Sequence, residues 1–220
     1  MDQKKIYQDL IENYDLGSDE FSKTRKYFWK DLLFIKKYYD KKCKLLDFGC
    51  GNGRLIDFLK PDKQNYLGLD VSQKLLEIAK KKYPEYKFEL ISWDFREFRK
   101  YQEKKFDLIL SIGVFHHFPK GRIRAEILEK IKELLKKDGI FILTVWNLNQ
   151  KKYFKKLNHS KQGMIDFKNS QKRVLFKRFV YRWELDELEK FVKKAGFKII
   201  KSGFSKRNNK PVNIFLVLAK

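Results

Sequence analysis

The stretch LLDFGCGNGRL, residues 45–55, decides how the chain is read. A short apolar segment runs into Gly49, Gly51 and Gly53 at every second position, with Asp47 just ahead of them. Glycines this close together weaken a helix or a strand, so the backbone has to be bare there for a reason. A glycine-rich turn after a first strand lets the main chain approach a ligand closely and aims a helix N-terminus at it.

Outward from that loop, strand and helix patterns alternate. Short apolar strands are expected at 44–48, 66–70, 86–91, 106–112 and 140–146. Helical periodicity covers 55–59, 73–83 and 122–136, the last stopped by Lys137-Asp138-Gly139. This alternation predicts a parallel sheet built from βαβ units. Residues 183–195 read as a helix stopped by Gly196, and two further strands are expected at 197–204 and 212–218, joined by the polar connection 206–210. A closing hairpin makes the sheet mixed. The first 40 residues look helical, with Phe21, Phe28, Leu32, Ile35 and Tyr39 at helical spacings. The expected fold is one doubly wound α/β domain over 1–220. It comprises a helical N-terminal extension (1–42), a ligand-binding core (43–147), a basic insertion after the fifth strand (148–182), and a C-terminal helix and hairpin (183–220).

Bulk properties narrow the class. The 220 residues are 43% hydrophobic and 36% charged, too apolar for disorder and too charged for a membrane protein. No apolar run approaches a membrane span, the start carries no apolar signal core, and two cysteines fit a reducing compartment, so the cytoplasm is the expected location. Fifty-one Lys and Arg against 28 acids give a net charge of +23, which suggests a polyanionic partner, nucleic acid before membrane; a lysine-rich proteome is the bland alternative. Between Lys151 and Arg182 there are eleven Lys/Arg and one acid, Asp166, interleaved with Tyr153, Phe154, Phe167, Phe176, Phe179 and Tyr181. Such aromatics either stack on bases or belong to the core.

Three ligand readings compete at the loop. A P-loop requires a Lys-Ser or Lys-Thr that does not follow Gly53, and a dinucleotide site requires a glycine where Arg54 stands. What remains is D-x-G-x-G-x-G, Asp47 through Gly53. It resembles the first motif of the class I S-adenosylmethionine-dependent methyltransferases, whose donor has a cationic sulfonium and no pyrophosphate, so an acid beside the loop is favourable. The resemblance implies a Rossmann-like fold, the cofactor S-adenosyl-L-methionine, and a binding set of Asp47, Gly49, Cys50, Gly51, Gly53, Asp70, Val71, Asp94, Phe95 and Ser111. Asp70 ends the second strand, where a carboxylate accepts ribose hydroxyls, and Asp94 with Phe95 stands where the family holds adenine. His116-His117 lacks a nearby ligand set for a metal, and no metal is expected; His116 is the pocket-lining candidate.

Further segments occur in order: FSKTRKYFW (21–29), SIGVFHHF (111–118), GIFILTVWNLNQ (139–150) and KRFVYRWELDELEKFVKKAGF (177–197). Together they resemble the tRNA methyltransferases that esterify a carboxymethyl group on the wobble uridine. That likeness implies tRNA as partner, a small activating protein as a further partner, and Arg25 and Arg182 as acceptor-binding cations beside His116. A carboxylate acceptor is already nucleophilic and needs alignment rather than a base. A small-molecule methyltransferase with a carboxylate, oxygen or nitrogen acceptor, and a degenerate binding subunit that activates a partner, are the alternatives.

Overall fold

Every residue of β1 (Leu45–Phe48) is buried, because β1 lies mid-sheet with β2 (Tyr66–Asp70) on one side and β4 (Phe106–Ile112) on the other. The register places Leu46 beside Leu67 and Ile109. A computed structural model of the chain describes residues 3–25, 29–92, 95–119 and 121–220, with the backbone alone for Gln3, Phe95 and Arg96. The sheet has seven strands in the order β3-β2-β1-β4-β5-β9-β8, with β3 (Lys87–Leu90), β5 (Leu135–Trp146), β8 (Lys198–Arg207) and β9 (Lys210–Ala219) completing it. It is parallel from β3 to β5, and β9 runs antiparallel to both of its neighbours. This is the mixed, doubly wound α/β sheet expected from the sequence.

Helices α1 (Gln3–Leu16) and α2 (Ser18–Thr24) precede the sheet, and α3 (Leu55–Leu59), α4 (Gln73–Lys82), α5 (Arg122–Leu134), α6 (Lys151–Lys156) and α7 (Leu185–Lys194) follow in chain order. Helix α5 shows why burial selects these elements. Ile127, Leu128, Ile131 and Leu134 fall on one stripe and are buried against the sheet, each contributing about 1.5–3 kcal/mol of apolar transfer energy. Two apolar layers result, one around Leu46, Phe48 and Ile109, the other around Leu45, Leu108 and Leu110.

Several expectations are corrected. The N-terminal extension is helical as expected, but its last part, Lys30–Tyr38, is a 3₁₀ helix packed on β8 rather than an α-helix, and Phe28 lies outside the described residues. Helix α5 runs straight into β5, so Lys137-Asp138-Gly139 lies within a strand rather than ending a helix. Buried Leu135 pairs with Phe106 there, and a Cβ on Gly139 would come within 2.8 Å of the Leu135 side chain. Trp183 precedes α7 and is buried at 1% exposure instead of opening the helix. The β8–β9 connection shrinks to Asn208-Asn209, both at positive φ, as a two-residue hairpin turn demands.

The basic insertion folds as α6 and a separate hairpin of β6 (Gln162–Lys168) and β7 (Val174–Tyr181). Its aromatics mostly turn inward: Phe167, Phe176, Phe179 and Tyr181 are buried, and Phe167 stacks on Phe176 at 4.7 Å. Its lysines at 151, 152, 155, 156, 168, 172 and 177 and Arg173 are exposed. No helix among the described residues is long and apolar enough to cross a membrane.

Candidate active site

The glycine loop is tied to the end of β2. The N–H groups of Gly49 and Cys50 donate to the Leu69 carbonyl at 2.7 and 3.0 Å. The Asp70 carboxylate accepts from Gly51 N–H at 2.7 Å and from Ser72 N–H at 2.9 Å. Burial raises its pKa, and these backbone donors oppose the rise. Gly51 sits at φ +55°, and a Cβ there would project to 3.3 Å from the Phe21 ring. Gly53, at φ +72°, is bare for a different reason: a Cβ would lie 3.1 Å from the Tyr83 ring.

Asp47 is 1% exposed and accepts the Tyr66 hydroxyl at 3.1 Å. Burial pushes its pKa up to about 7, against the opposing Tyr66 bond and the Arg54 charge. A carboxyl raised from 3.8 to about 7 holds its proton in the folded chain where the unfolded chain has released it, so its contribution to stability falls as pH rises from 4 to 7. Asp47→Asn keeps an acceptor for Tyr66 and removes this cost. The ligand-free melting temperature is expected to rise by about 5 °C at pH 8 and by less than about 2 °C at pH 5, with binding of a cationic donor weakened. Equal shifts at both pH values in differential scanning calorimetry would refute the assignment.

A cavity, partly open to solvent, lies over the loop and takes its far wall from the N-terminal extension. That wall is fixed by Asp15 of α1, which accepts from the Ser72 hydroxyl at 2.5 Å and from Lys74 N–H at 3.1 Å at the start of α4. Tyr14, Phe21, Arg25 and Trp29 are thereby brought to the cavity. Two lining side chains carry buried polar atoms without a partner, the Asn52 Oδ1 acceptor and the Arg54 Nη1 donor. Arg54 stacks on Trp29 at 3.9 Å, and burial lowers its pKa to about 10. An orphan acceptor, an orphan cationic donor and two acids beside a bare backbone fit a zwitterionic, sulfonium-bearing ligand: Asn52 for an ammonium, Arg54 for a carboxylate, Asp70 for hydroxyls.

Opposite the loop the cavity is aromatic and cationic. His117 Nδ1 lies 2.8 Å from the Phe179 carbonyl, which only accepts, so that nitrogen carries the proton and Nε2 accepts from the Tyr14 hydroxyl at 2.9 Å. Tyr14 in turn accepts from Arg178 Nη1 at 3.3 Å. Burial, then the Arg178 charge, lowers the His117 pKa to about 3, so the ring is neutral. Arg25 lies 4.2 Å from the Phe21 ring centre and donates to Thr24 Oγ1 at 2.9 Å. Burial and the neighbouring Arg178 lower its pKa to about 10, and no carboxylate among the described residues pairs with it.

Of the residues expected from the sequence, Arg25, Asp47, Gly49, Cys50, Gly51, Asp70 and Val71 line this cavity. Gly53, Ser111, His116 and Arg182 do not. Ser111 is fully buried in β4. His116 points into the core, 4.4 Å from Trp146, with neither ring nitrogen bonded; its neighbour His117 is the one that lines the cavity. Arg182 bonds Asn149 Oδ1 at 2.6 Å, Glu184 at 3.3 Å and the Ser160 carbonyl at 3.3 Å, which pins the insertion to the domain. Asp94 lies outside the described residues, and of Phe95 only the backbone is described. Tyr14, Asn52 and Arg54 carry no local sequence signal beyond their residue type, because their roles depend on packing.

Residues 46–141 match the family model of a methyltransferase domain. A candidate methyltransferase of Encephalitozoon cuniculi is 29% identical over 211 residues, covering 94% of this chain and 93% of that protein. The tRNA (carboxymethyluridine(34)-5-O)-methyltransferase ALKBH8 of Macaca fascicularis is 29% identical over 177 residues, covering 77% of this chain and 26% of that protein. Among solved structures, the 1,6-didemethyltoxoflavin-N1-methyltransferase of Burkholderia thailandensis with bound 1,6-didemethyltoxoflavin and S-adenosylhomocysteine superposes with a TM-score of 0.65 at 16% identity. The superposition covers 100% of this chain and 91% of that one.

Proposed function

Because the chain is a class I S-adenosylmethionine-dependent methyltransferase, we propose that its acceptor is a carboxylate, that of a carboxymethyl group on the wobble uridine of a tRNA. The observation that carries this reading is Arg25: a cation in the cavity wall, stacked on Phe21 and without an acidic partner among the described residues. An uncompensated guanidinium at an active site is suited to a bidentate carboxylate.

The chemistry agrees. The donor, when bound, supplies an electrophilic methyl group on a cationic sulfur. The chain's own residues then have to bind, align and exclude water. Neither histidine is free to act as a base, since His116 is sealed in the core and both ring nitrogens of His117 are engaged. A carboxylate acceptor does not need one. The exposed lysines of the insertion add a surface for a polyanion, and the likeness to the ALKBH8 tRNA methyltransferase points to the same acceptor.

Incubation with bulk tRNA and labelled donor, followed by nucleoside mass spectrometry, tests the reading. The expected product is the alkali-labile methyl ester of a carboxymethylated uridine. Label found only on free small acids would move the acceptor to a metabolite and overturn the tRNA assignment.

A further inference from the structure

Trp146 ends β5 and lines the cavity over the glycine loop. Its ring is held from several directions: the His116 ring and the Arg178 guanidinium each lie 4.4 Å from its centre, and His117 meets it edge-on at 5.7 Å. The side chain is half-buried, and its Nε1–H makes no hydrogen bond among the described residues. Nε1 lies over bare backbone. Gly113, the residue after β4, sits at φ +73°, and a Cβ there would meet only Nε1, at 3.6 Å. Gly113 is fixed in turn, donating its N–H to the Thr144 carbonyl at 3.1 Å and to Thr144 Oγ1 at 3.0 Å, and it too lines the cavity. Both groups stand at the carboxyl ends of their strands, the edge at which a doubly wound sheet binds its ligands.

An indole nitrogen only donates. A cation over the ring draws π-electron density from it, so Arg178 makes this N–H a stronger donor. The same guanidinium shares the Phe167 ring with Arg25, at 5.1 and 5.5 Å, which places Trp146 and Arg25 at one end of the cavity. No carboxylate among the described residues pairs with either arginine. A fixed N–H donor near an uncompensated guanidinium suits a carboxylate, whose charge the guanidinium holds while the N–H takes one oxygen.

We propose that the Trp146 Nε1–H is a specificity-determining donor that holds the non-attacking oxygen of the acceptor carboxylate, with Arg178 as a positioning residue acting through the indole. This rests on the carboxylate reading above. In the transfer the other oxygen forms the bond to the methyl carbon. The carbon–sulfur bond breaks with its electron pair staying on sulfur, leaving a neutral thioether and a neutral ester. The oxygen at Trp146 becomes the ester carbonyl, which still accepts. The bond is therefore made in ground state and transition state alike, and its loss is read in KM rather than in kcat.

The test is a proton–nitrogen NMR titration of the full chain, labelled at its indole nitrogens and saturated with S-adenosylhomocysteine, with acetate as the carboxylate probe at constant ionic strength. The chain has four tryptophans, and Trp146→Phe assigns the resonance by deleting it. The Trp146 indole proton is expected to move downfield and saturate with acetate, and to respond about tenfold more weakly to neutral acetamide. Arg178→Met removes the cation over the ring and should weaken the acetate response about fivefold. In the tRNA assay Trp146→Phe keeps the ring and loses the N–H. It should raise KM about tenfold, with kcat, melting temperature and S-adenosylhomocysteine affinity within about twofold of the parent. An indole proton that ignores acetate, or answers acetamide equally, overturns the proposal. So does a Trp146→Phe variant that loses kcat or S-adenosylhomocysteine affinity at unchanged KM, since the ring would then be scaffold. An acetate response in Arg178→Met equal to the parent's overturns the part given to Arg178. If tRNA accepts no methyl group the tRNA reading falls, and the acetate titration still decides for or against Trp146.

Discussion

Asp70→Asn is expected to weaken binding of the donor and of S-adenosylhomocysteine about 100-fold, while the chain remains folded. Asp70 does two things at once. Its oxygens accept from Gly51 N–H at 2.7 Å and Ser72 N–H at 2.9 Å, which sets the glycine loop against the end of β2. We propose that its remaining lone pairs accept the donor's ribose hydroxyls. An amide has one acceptor oxygen, so in the variant a side-chain N–H faces one of the two backbone N–H groups and the loop loses a bond. A buried donor left unsatisfied costs about 1–3 kcal/mol, and the lost charge-assisted bond to the ligand costs a similar amount. About 2.7 kcal/mol in total corresponds to the 100-fold loss. Calorimetric titration with S-adenosylhomocysteine reads it directly. An affinity within threefold of the parent would show that Asp70 only braces the loop.

The features that were legible in the sequence are local. The loop, its strand and Asp70 lie within 26 residues of one another, and their roles follow from backbone geometry that glycine spacing and strand ends report. Asp47 was legible as an acid beside the loop, but its raised pKa was not, since the burial that causes it requires β2, β4 and the Tyr66 ring in place. The acceptor end was legible only in part. Arg25 was found, whereas the Tyr14–His117–Arg178 link joins residues up to 164 positions apart and forms only because Asp15 docks α1 onto α4. Adjacent His116 and His117 are chemically identical in sequence. The 3₁₀ turn Phe115–His117 sends one into the core and the other to the cavity, a difference no spacing rule carries. Arg182 misleads for the mirror-image reason: it follows a basic, aromatic segment, yet Asn149 and Glu184 have already claimed its guanidinium. The same applies to the insertion's aromatics. Alternation along β6 and β7 buries Phe167 and Phe176 against each other, and that pairing needs the hairpin register.

Arg25→Ala should reduce kcat/KM for the carboxylate acceptor about 1,000-fold while leaving S-adenosylhomocysteine affinity within about threefold. Removing one partner of a desolvated charge pair costs about 2–5 kcal/mol, and 4 kcal/mol corresponds to roughly three decades. Stability should move the other way. Arg25 is held near Arg178 without an acid, and its pKa of about 10, lowered by burial and by that neighbour, shows the guanidinium disfavoured where it stands. Loss of the cation is therefore expected to leave the melting temperature unchanged or higher, where loss of a structural arginine would lower it. Arg25→Lys separates charge from shape: an ammonium restores attraction but not the two parallel bonds of a guanidinium, so recovery of about tenfold is expected, short of the parent. A melting temperature that falls by several degrees with a proportionate loss of donor binding would place Arg25 in the scaffold. A loss of kcat/KM below fivefold would mean that the acceptor is not held there as an anion, and with it would go the carboxylate reading of the cavity.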